Sequence, residues 1–254
     1  MAAENYYDTD RALSEYLLFH YGTPEQLLPP GFSLQAVLNF HSRCVSECLD
    51  AQRLPPGARG LDIGCAVGRA SFELSRHCSS VVGVDFSERF IGIADHLRKN
   101  GSFLFGCVEE GELTHPCQAV VPENIDRGRA QFERSDAMAL RADLGVFDVV
   151  LMANLIDRLS DPRRCLALLP GLVKPGGQLI ITSPCTWLTD YTPRENWLGG
   201  FERYGKPLRT FDALKEILSP HFQFSQSKDL PFLIREHARK FQLSVAMAGM
   251  WIRK

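Results

Sequence analysis

Long apolar runs are missing from this 254-residue chain: no uninterrupted stretch approaches the roughly 20 residues needed to cross a bilayer, which excludes a helical membrane protein. The start MAAENYYDTD has neither the cationic flank nor the apolar centre of a secretion signal, so a cytoplasmic protein with no membrane partner is expected. An excess of charge is missing too. Lys and Arg number 28 against 30 Asp and Glu, a formal net charge of −2, which excludes a dedicated nucleic-acid binder and leaves no charge run for docking a macromolecule. The eight cysteines, Cys44, Cys48, Cys65, Cys78, Cys107, Cys117, Cys165 and Cys185, form no CxxC pair and no Cys/His grouping at zinc-ligand spacing. Reduced, packed thiols and no metal are therefore expected. Without internal repeats or Ser/Gly linkers, the chain reads as a single domain over 1–254, with an N-terminal helical extension or lid at 1–53 and a core at 54–254.

What is present is a periodic pattern. In TDRALSEYLLFHY, Leu13, Tyr16, Leu17 and His20 recur at helical spacing, and Gly22 suits a left-handed cap. Ser33 is placed to cap a second helix along Leu34, Val37, Leu38, His41, Val45 and Leu49. From residue 60 onward short apolar runs alternate with helices. GLDIGC (60–65), SVVGVDF (80–86), AQFERS (130–135), FDVVLMAN (147–154) and GQLIITSP (177–184) are the expected strands. The intervening helices are GRASFELSRH, SERFIGIADHLRKN and DPRRCLALLPGLVKPGG, the last closed by a Lys-Pro-Gly-Gly stop. Apolar strands separated by helices predict a parallel sheet covered on both faces. The tail from 222 has no helix between its last strands and predicts an antiparallel hairpin at the sheet edge. Residues 101–122 exceed the short connection this fold needs and read as an insertion, a hairpin of its own.

In LDIGCAVGRA (61–70) a strand ends at Ile63 and the chain turns into a helix, bringing backbone N–H groups close to a ligand. Some 20 residues on, Asp85 ends the next strand, with Phe86 beside it, at the acidic position that holds a ribose diol in nucleotide-binding folds. The dinucleotide fingerprint GxGxxG fails twice, because Ala66 and Arg69 stand where its second and third glycines belong. The spacing Asp62, Gly64, Gly68 instead resembles the D-x-G-x-x-x-G motif of class I methyltransferases. That resemblance implies a Rossmann-like, seven-stranded, mostly parallel sheet with a C-terminal antiparallel hairpin, and S-adenosylmethionine as cofactor. It also implies adenine contacts at Asp136 and Ala137 in the SDA segment. FDVVLMANL and LPGLVKPGGQLIITSP are similar to the family's fourth and fifth strands.

Four further segments resemble one subfamily, the methyltransferase part of ovothiol synthases, which act on mercaptohistidine: NYYDTDRALSEYLLFHYG, LDIGCAVGRASFEL, SPCTWLTDYTPRENWLGG and DLPFLIREHARKFQ. Ala66 and the following Val-Gly-Arg, which includes Arg69, belong to that motif and enter the expected cofactor set. The partner iron-dependent module of those synthases is not in this sequence, so the resemblance implies free histidine, a histidine dipeptide or mercaptohistidine as a small-molecule substrate.

An imidazole nitrogen, with an unperturbed pKa of about 6.5, is already nucleophilic at neutral pH, so positioning governs the chemistry. Asn154, also in the cofactor set, and Asp157 are the expected catalytic polar contacts; a helix cap at Asn154 and a solvent-facing Asp157 are the alternatives. Tyr7 and Tyr16 in the N-terminal segment, Thr186, Trp187 and Tyr191 after strand five, and Arg235 are the expected substrate contacts, with Arg235 suited to a carboxylate and Trp187 to stacking. His20, His41, His77, His96, His115 and His221 have no paired spacing and read as structural or solvated. The competing functions are a protein-histidine or other methyltransferase, and a cofactor-binding regulatory pseudoenzyme.

Overall fold

A computed structural model describes residues 9–29 and 31–254. Tyr7, expected at the substrate, and the start of the expected lid lie outside the described residues. Seven strands form the central sheet: β1 (Arg59–Ile63), β2 (Ser80–Asp85), β5 (Ala130–Arg134), β6 (Phe147–Ala153), β7 (Val173–Ser183), β10 (Phe222–His237) and β11 (Lys240–Arg253). Their order is β10-β11-β7-β6-β1-β2-β5, and β11 runs antiparallel to both its neighbours while the other pairings are parallel. This is the Rossmann-like sheet of class I methyltransferases with its terminal hairpin. The chain builds outward from β1 through β2 to β5, then returns to place β6 on the other side of β1. That reversal opens a crevice beyond the carboxyl ends of β1 and β6, where ligands bind in open α/β sheets.

The strands form because they are nearly all apolar. Leu61, Ile63, Val150, Met152 and Ile181 are buried in one cluster with α6 (Pro162–Leu172) and α7 (Thr210–Leu218) on one face. Val149, Leu151 and Ile180 bury on the other face against Ala70 and Leu74 of α4 (Arg69–Leu74) and Phe40, Cys44 and Val45 of α3 (Phe40–Ser46). The helix α5 (Glu88–Asn100) is capped by the Ser87 hydroxyl, which accepts from the Phe90 N–H at 3.1 Å.

The insertion is a hairpin, β3 (Ser102–Glu110) with β4 (Leu113–Val120), outside the main sheet. It corrects the expectation of reduced thiols throughout: Cys107 and Cys117 are joined as a disulfide across it. His115 pairs opposite Cys107 and shares a face with Cys117, so the hairpin assembles a Cys/His group that linear spacing hides. The hairpin packs on α1 (Asp10–Tyr21), where the Ser14 hydroxyl donates to the Gly106 carbonyl at 2.6 Å.

Three local expectations are corrected. The second helix does not run from Ser33 to Leu49: a 3-10 turn at Gln35–Val37 is followed by a left-handed Asn39 before α3 begins. Val37 and Leu38 bury against the insertion cluster while Phe40 and Cys44 bury against the sheet, and one straight helix cannot serve both. α6 does end at Leu172, just before Lys-Pro-Gly-Gly, but that segment lies inside β7 and does not form a free turn, with Lys174 turning back to the Asp148 carboxylate at 2.9 Å. Gly22 has φ −61 and is not a left-handed cap. It is required because a Cβ there would lie 2.4 Å from the Leu18 carbonyl oxygen, which accepts the Gly22 N–H. Gly22→Ala should therefore lower stability by about 1–3 kcal/mol, read as a lower urea midpoint at unchanged slope.

Candidate functional site

At the crevice, the turn after β1 is shaped by three residues with positive φ: Gly64 (78°), Ala66 (45°) and Gly68 (84°). Ala66 accepts a conformation that costs an L-residue about 1–2 kcal/mol. What holds it there is β2: Gly64 and Cys65 donate to the Val84 carbonyl at 2.8 and 3.0 Å, and the Ala66 N–H donates to Asp85 Oδ2 at 2.9 Å. Asp85 Oδ1 accepts the Ser87 N–H at 2.9 Å. Below the turn, Asp62 is fully buried; its Oδ2 accepts the Ser71 hydroxyl at 2.6 Å, and its Oδ1 has no hydrogen-bond partner among the described residues. Burial pushes the Asp62 carboxyl up to about 7 against the Ser71 hydrogen bond, and the nearby Asp85 charge adds to the rise.

A cavity of about 600 Å³ opens from this turn. Its first half is lined by Asp62, Gly64, Ala66, Asp85, Phe86, Asp136 and Ala137, seven of the residues expected at the cofactor. Asp136 closes a tight turn after β5 by accepting the Met138 N–H at 2.8 Å. Arg69 is not among the lining residues. It pairs with Glu73 at 2.7 Å and with the Ser42 hydroxyl, over the Tyr21 ring, because the first turn of α4 points it toward α3.

Asn154 lines the middle of the cavity and is not a helix cap. It is left-handed (φ 52), and its Oδ1 accepts the Thr182 hydroxyl at 2.9 Å, locking the end of β6 to β7. Asp157 is absent from the lining and equally does not face water. Fully buried, it accepts the Thr186 N–H at 2.9 Å and pairs with Arg158 at 3.2 Å, and burial raises its carboxyl. Thr186 is thus a backbone anchor outside the lining. Trp187 is also outside it: only 8% exposed, it donates from Nε1 to the Thr210 hydroxyl at 2.8 Å and stacks on Trp197. Tyr16 and Tyr191 do line the cavity.

Arg235 misses the cavity for a reason of register. On β10 the alternating pleat turns Phe232 and Ile234 to the lining, so Arg235 points away and donates to the Gln26 carbonyl. The strand register shifts between Arg235 and His237, and Glu236 is buried against Arg11 and Lys240.

The residues that sequence reasoning missed lie in the second half of the cavity. Phe19 and His20 come from α1, His41 from α3, and Arg158 and Asp190 from the segments after β6 and β7. His20 and His41 stack with ring centroids 3.4 Å apart and planes at 24°. Burial, then the Arg69 charge, lowers His41 to about 3; His20 is lowered well below its ordinary value by burial, by His41 and by Arg69. No spacing rule links positions 20 and 41, so only the packing of α1 on α3 could reveal the pair. The Arg158 guanidinium sits 4.8 Å above the Tyr191 ring.

A family model described as a methyltransferase domain matches residues 39–228. The ubiquinone biosynthesis O-methyltransferase of Coxiella burnetii is 27% identical over 127 residues, 50% of this chain and 44% of that protein, so the chain spans less than half the length of that relative. An O-methyltransferase of Pyrenophora dematioidea is 26% identical over 201 residues, 78% of this chain and 64% of that protein. Among solved structures, the [4+2]-cyclase SpnF is 19% identical with a TM-score of 0.59, covering 98% of this chain and 94% of that one. The magnesium protoporphyrin IX methyltransferase of Synechocystis, with bound SAH, is 15% identical with a TM-score of 0.55, covering 98% and 97%. At such identities these structures show a shared fold.

The buried histidines predict an acid response. Unfolded histidine titrates near 6.5, so below that pH the unfolded chain takes up protons that folded His41 refuses until about 3. Its contribution is present in full above about 6.5 and is lost as pH falls through that window. Between pH 7 and pH 5, His41→Gln should lose about 2 kcal/mol less stability than the unsubstituted protein, measured by denaturant unfolding at both pH values.

Proposed function

The chain belongs to the methyltransferase-domain family, whose class I fold uses S-adenosylmethionine, and on that premise we propose that it methylates an imidazole ring nitrogen of histidine or a histidine derivative. The observation that carries this reading is one continuous cavity. It joins the β1 turn to a half lined by aromatic rings, two neutral imidazoles, one guanidinium and the Asp190 carboxylate, a set suited to a small aromatic amino acid.

Two features of the turn fit the cofactor. Gly64 holds φ +78, a conformation strained for any L-residue, and a Cβ there would crowd the Leu155 side chain, so glycine keeps the cradle open. The buried, unpartnered Oδ1 of Asp62 calls for a donor, and an ammonium group supplies one. Asp62 would hold the amino-acid end of the cofactor, Asp85 the ribose hydroxyls beside Gly64 and Ala66, and Asp136 with the Ala137 N–H the adenine edge, with Phe86 covering it. Bound there, the cofactor supplies an electrophilic methyl carbon.

The chain's own residues then have three tasks. Asn154, fixed by Thr182, stands between the two halves and would orient the acceptor ring. Arg158, held by Asp157 and Tyr191, takes over the carboxylate-binding task expected of Arg235, and Asp190 suits the amine. Tyr16, Phe19 and Phe232 wall the ring and exclude water, which favours a neutral nitrogen nucleophile over any group that must first be ionised. The acceptor needs orientation, and among the described residues no strong base lines this half.

Incubating the protein with methyl-labelled cofactor and, separately, histidine, carnosine and mercaptohistidine should label at least one; label in none of them rejects the reading, and label in protein would favour a macromolecular substrate. Asp85→Ala removes a charged acceptor and should weaken binding of the demethylated cofactor about 10- to 100-fold by calorimetry. Arg158→Gln, which keeps a donor for buried Asp157, should raise the acceptor KM about tenfold or more while leaving cofactor affinity unchanged.

A further inference from the structure

Two polar side chains in the cavity do nothing to hold the fold by hydrogen bonding. His20 and His41 are each 7% exposed and both line the cavity, and the Nδ1 of each is buried with no partner. Among the described residues neither ring is hydrogen-bonded to a protein group. An unpaired buried polar atom costs about 1–3 kcal/mol, and the neighbours at this point are Phe19, Phe40 and Phe232, among which an apolar side chain would pack without that penalty. The Nε2 of each ring has no partner among the described residues either and is not fully buried, so it is the nitrogen that a ligand in the cavity can reach.

The ligand chemistry follows from what the two rings can offer. Crowded among aromatic rings, with the Arg69 guanidinium nearby, they stay uncharged, and a neutral imidazole has one N–H donor and one lone pair. Such a pair cannot neutralise an anion or a cation. It can hold a neutral heteroaromatic ring that itself carries one N–H and one bare nitrogen. For an imidazole acceptor these two nitrogens are the two possible methylation sites, and the tautomer that is held decides which one has the lone pair.

We propose that the His20–His41 pair selects which ring nitrogen of the acceptor is methylated: one of the two imidazoles accepts the acceptor's ring N–H, and the bare nitrogen is thereby turned toward the β1-turn half of the cavity. This inference rests on the imidazole-acceptor reading above. The bare nitrogen's lone pair forms the new N–C bond as the methyl carbon's bond to sulfur breaks with its electron pair leaving on sulfur. The ring takes over the positive charge and keeps its N–H on the histidine, so no proton moves during transfer. The methylated ring then yields that proton to water after release. His20 and His41 are positioning residues whose effect is on product identity.

The test is the ratio of the two N-methyl isomers, resolved by proton NMR of the product. The unsubstituted protein should make one isomer. At least one of His20→Leu and His41→Leu should shift the ratio toward the other isomer by about tenfold or more, the loss of one such hydrogen bond. The corresponding His→Gln variant, which restores a neutral acceptor and donor, should move the ratio back. Slower turnover with an unchanged ratio in both Leu variants overturns the proposal, since a purely structural role changes rate and leaves the isomer alone. Should the Leu variants fail to fold, the unsubstituted protein labelled with ¹⁵N-histidine decides without cofactor. Titration with the labelled-assay substrate should shift the ring nitrogens of His20 or His41, and unmoved resonances at saturation overturn it. If the unsubstituted protein methylates no imidazole compound, the imidazole reading itself fails and this inference with it. Methylation with an unchanged ratio rejects only the inference.

Discussion

Asp85 is the residue on which the ligand end of the sheet depends. Its Oδ2 holds the Ala66 N–H, its Oδ1 the Ser87 N–H that begins α5, and its backbone carbonyl the Ser135 N–H at 2.9 Å after β5. One residue thereby ties the β1 turn, the cap of a helix and the end of a neighbouring strand. The strained Ala66 is tolerable because its N–H is claimed by a carboxylate, a charge-assisted bond worth more than the conformational cost. Asp62 nearby resists ionisation chiefly because it is fully buried, and the Asp85 charge adds to that resistance against the hydrogen bonds from Ser71.

The other half of the cavity joins residues of the sheet core, Phe232 and Ile234 of β10 and Arg158 and Asp190 after β6 and β7, to α1 and α3, which lie outside the sheet. The segment α1 is gripped between the β3–β4 hairpin and the free end of β10, through Ser14 to Gly106 and Arg11 to Glu236. Behind it α3 lies on the sheet through Phe40 and Cys44. The break at Leu38–Asn39 is what lets one stretch of chain serve both the hairpin cluster and the sheet, and it leaves His41 free to stack on His20. The disulfide between Cys107 and Cys117 lies in the cluster with Leu18, so the insertion reinforces the outer side of the helix whose inner side lines the cavity.

The lining beside the β1 turn was legible because its parts are local. A glycine that must leave a cradle open, an acid at a strand end and an apolar strand can each be read within a few residues, and Asp62, Gly64, Asp85 and Asp136 came from such windows. The misses share a cause as well. Arg235 failed by one step of a two-residue pleat, Trp187 by the availability of Thr210 as a partner, and Arg69 by the direction of a helix's first turn. Each error is a question of which way a side chain points, which propensity and periodicity do not encode when both directions bury something.

The sequence by itself determined the alternation of strands and helices, the antiparallel tail, the hairpin at 101–122 and a turn without the dinucleotide fingerprint, since all follow from hydrophobic period and glycine placement. Only the tertiary structure decided which residues meet across the half of the cavity away from the β1 turn. Positions 20 and 41 approach because α1 and α3 pack against one sheet face and one hairpin, and Cys107 meets Cys117 because antiparallel register puts them on one side of β3–β4. Contacts between distant segments depend on how whole elements share buried surface, a property of the assembled core that no short window of sequence contains.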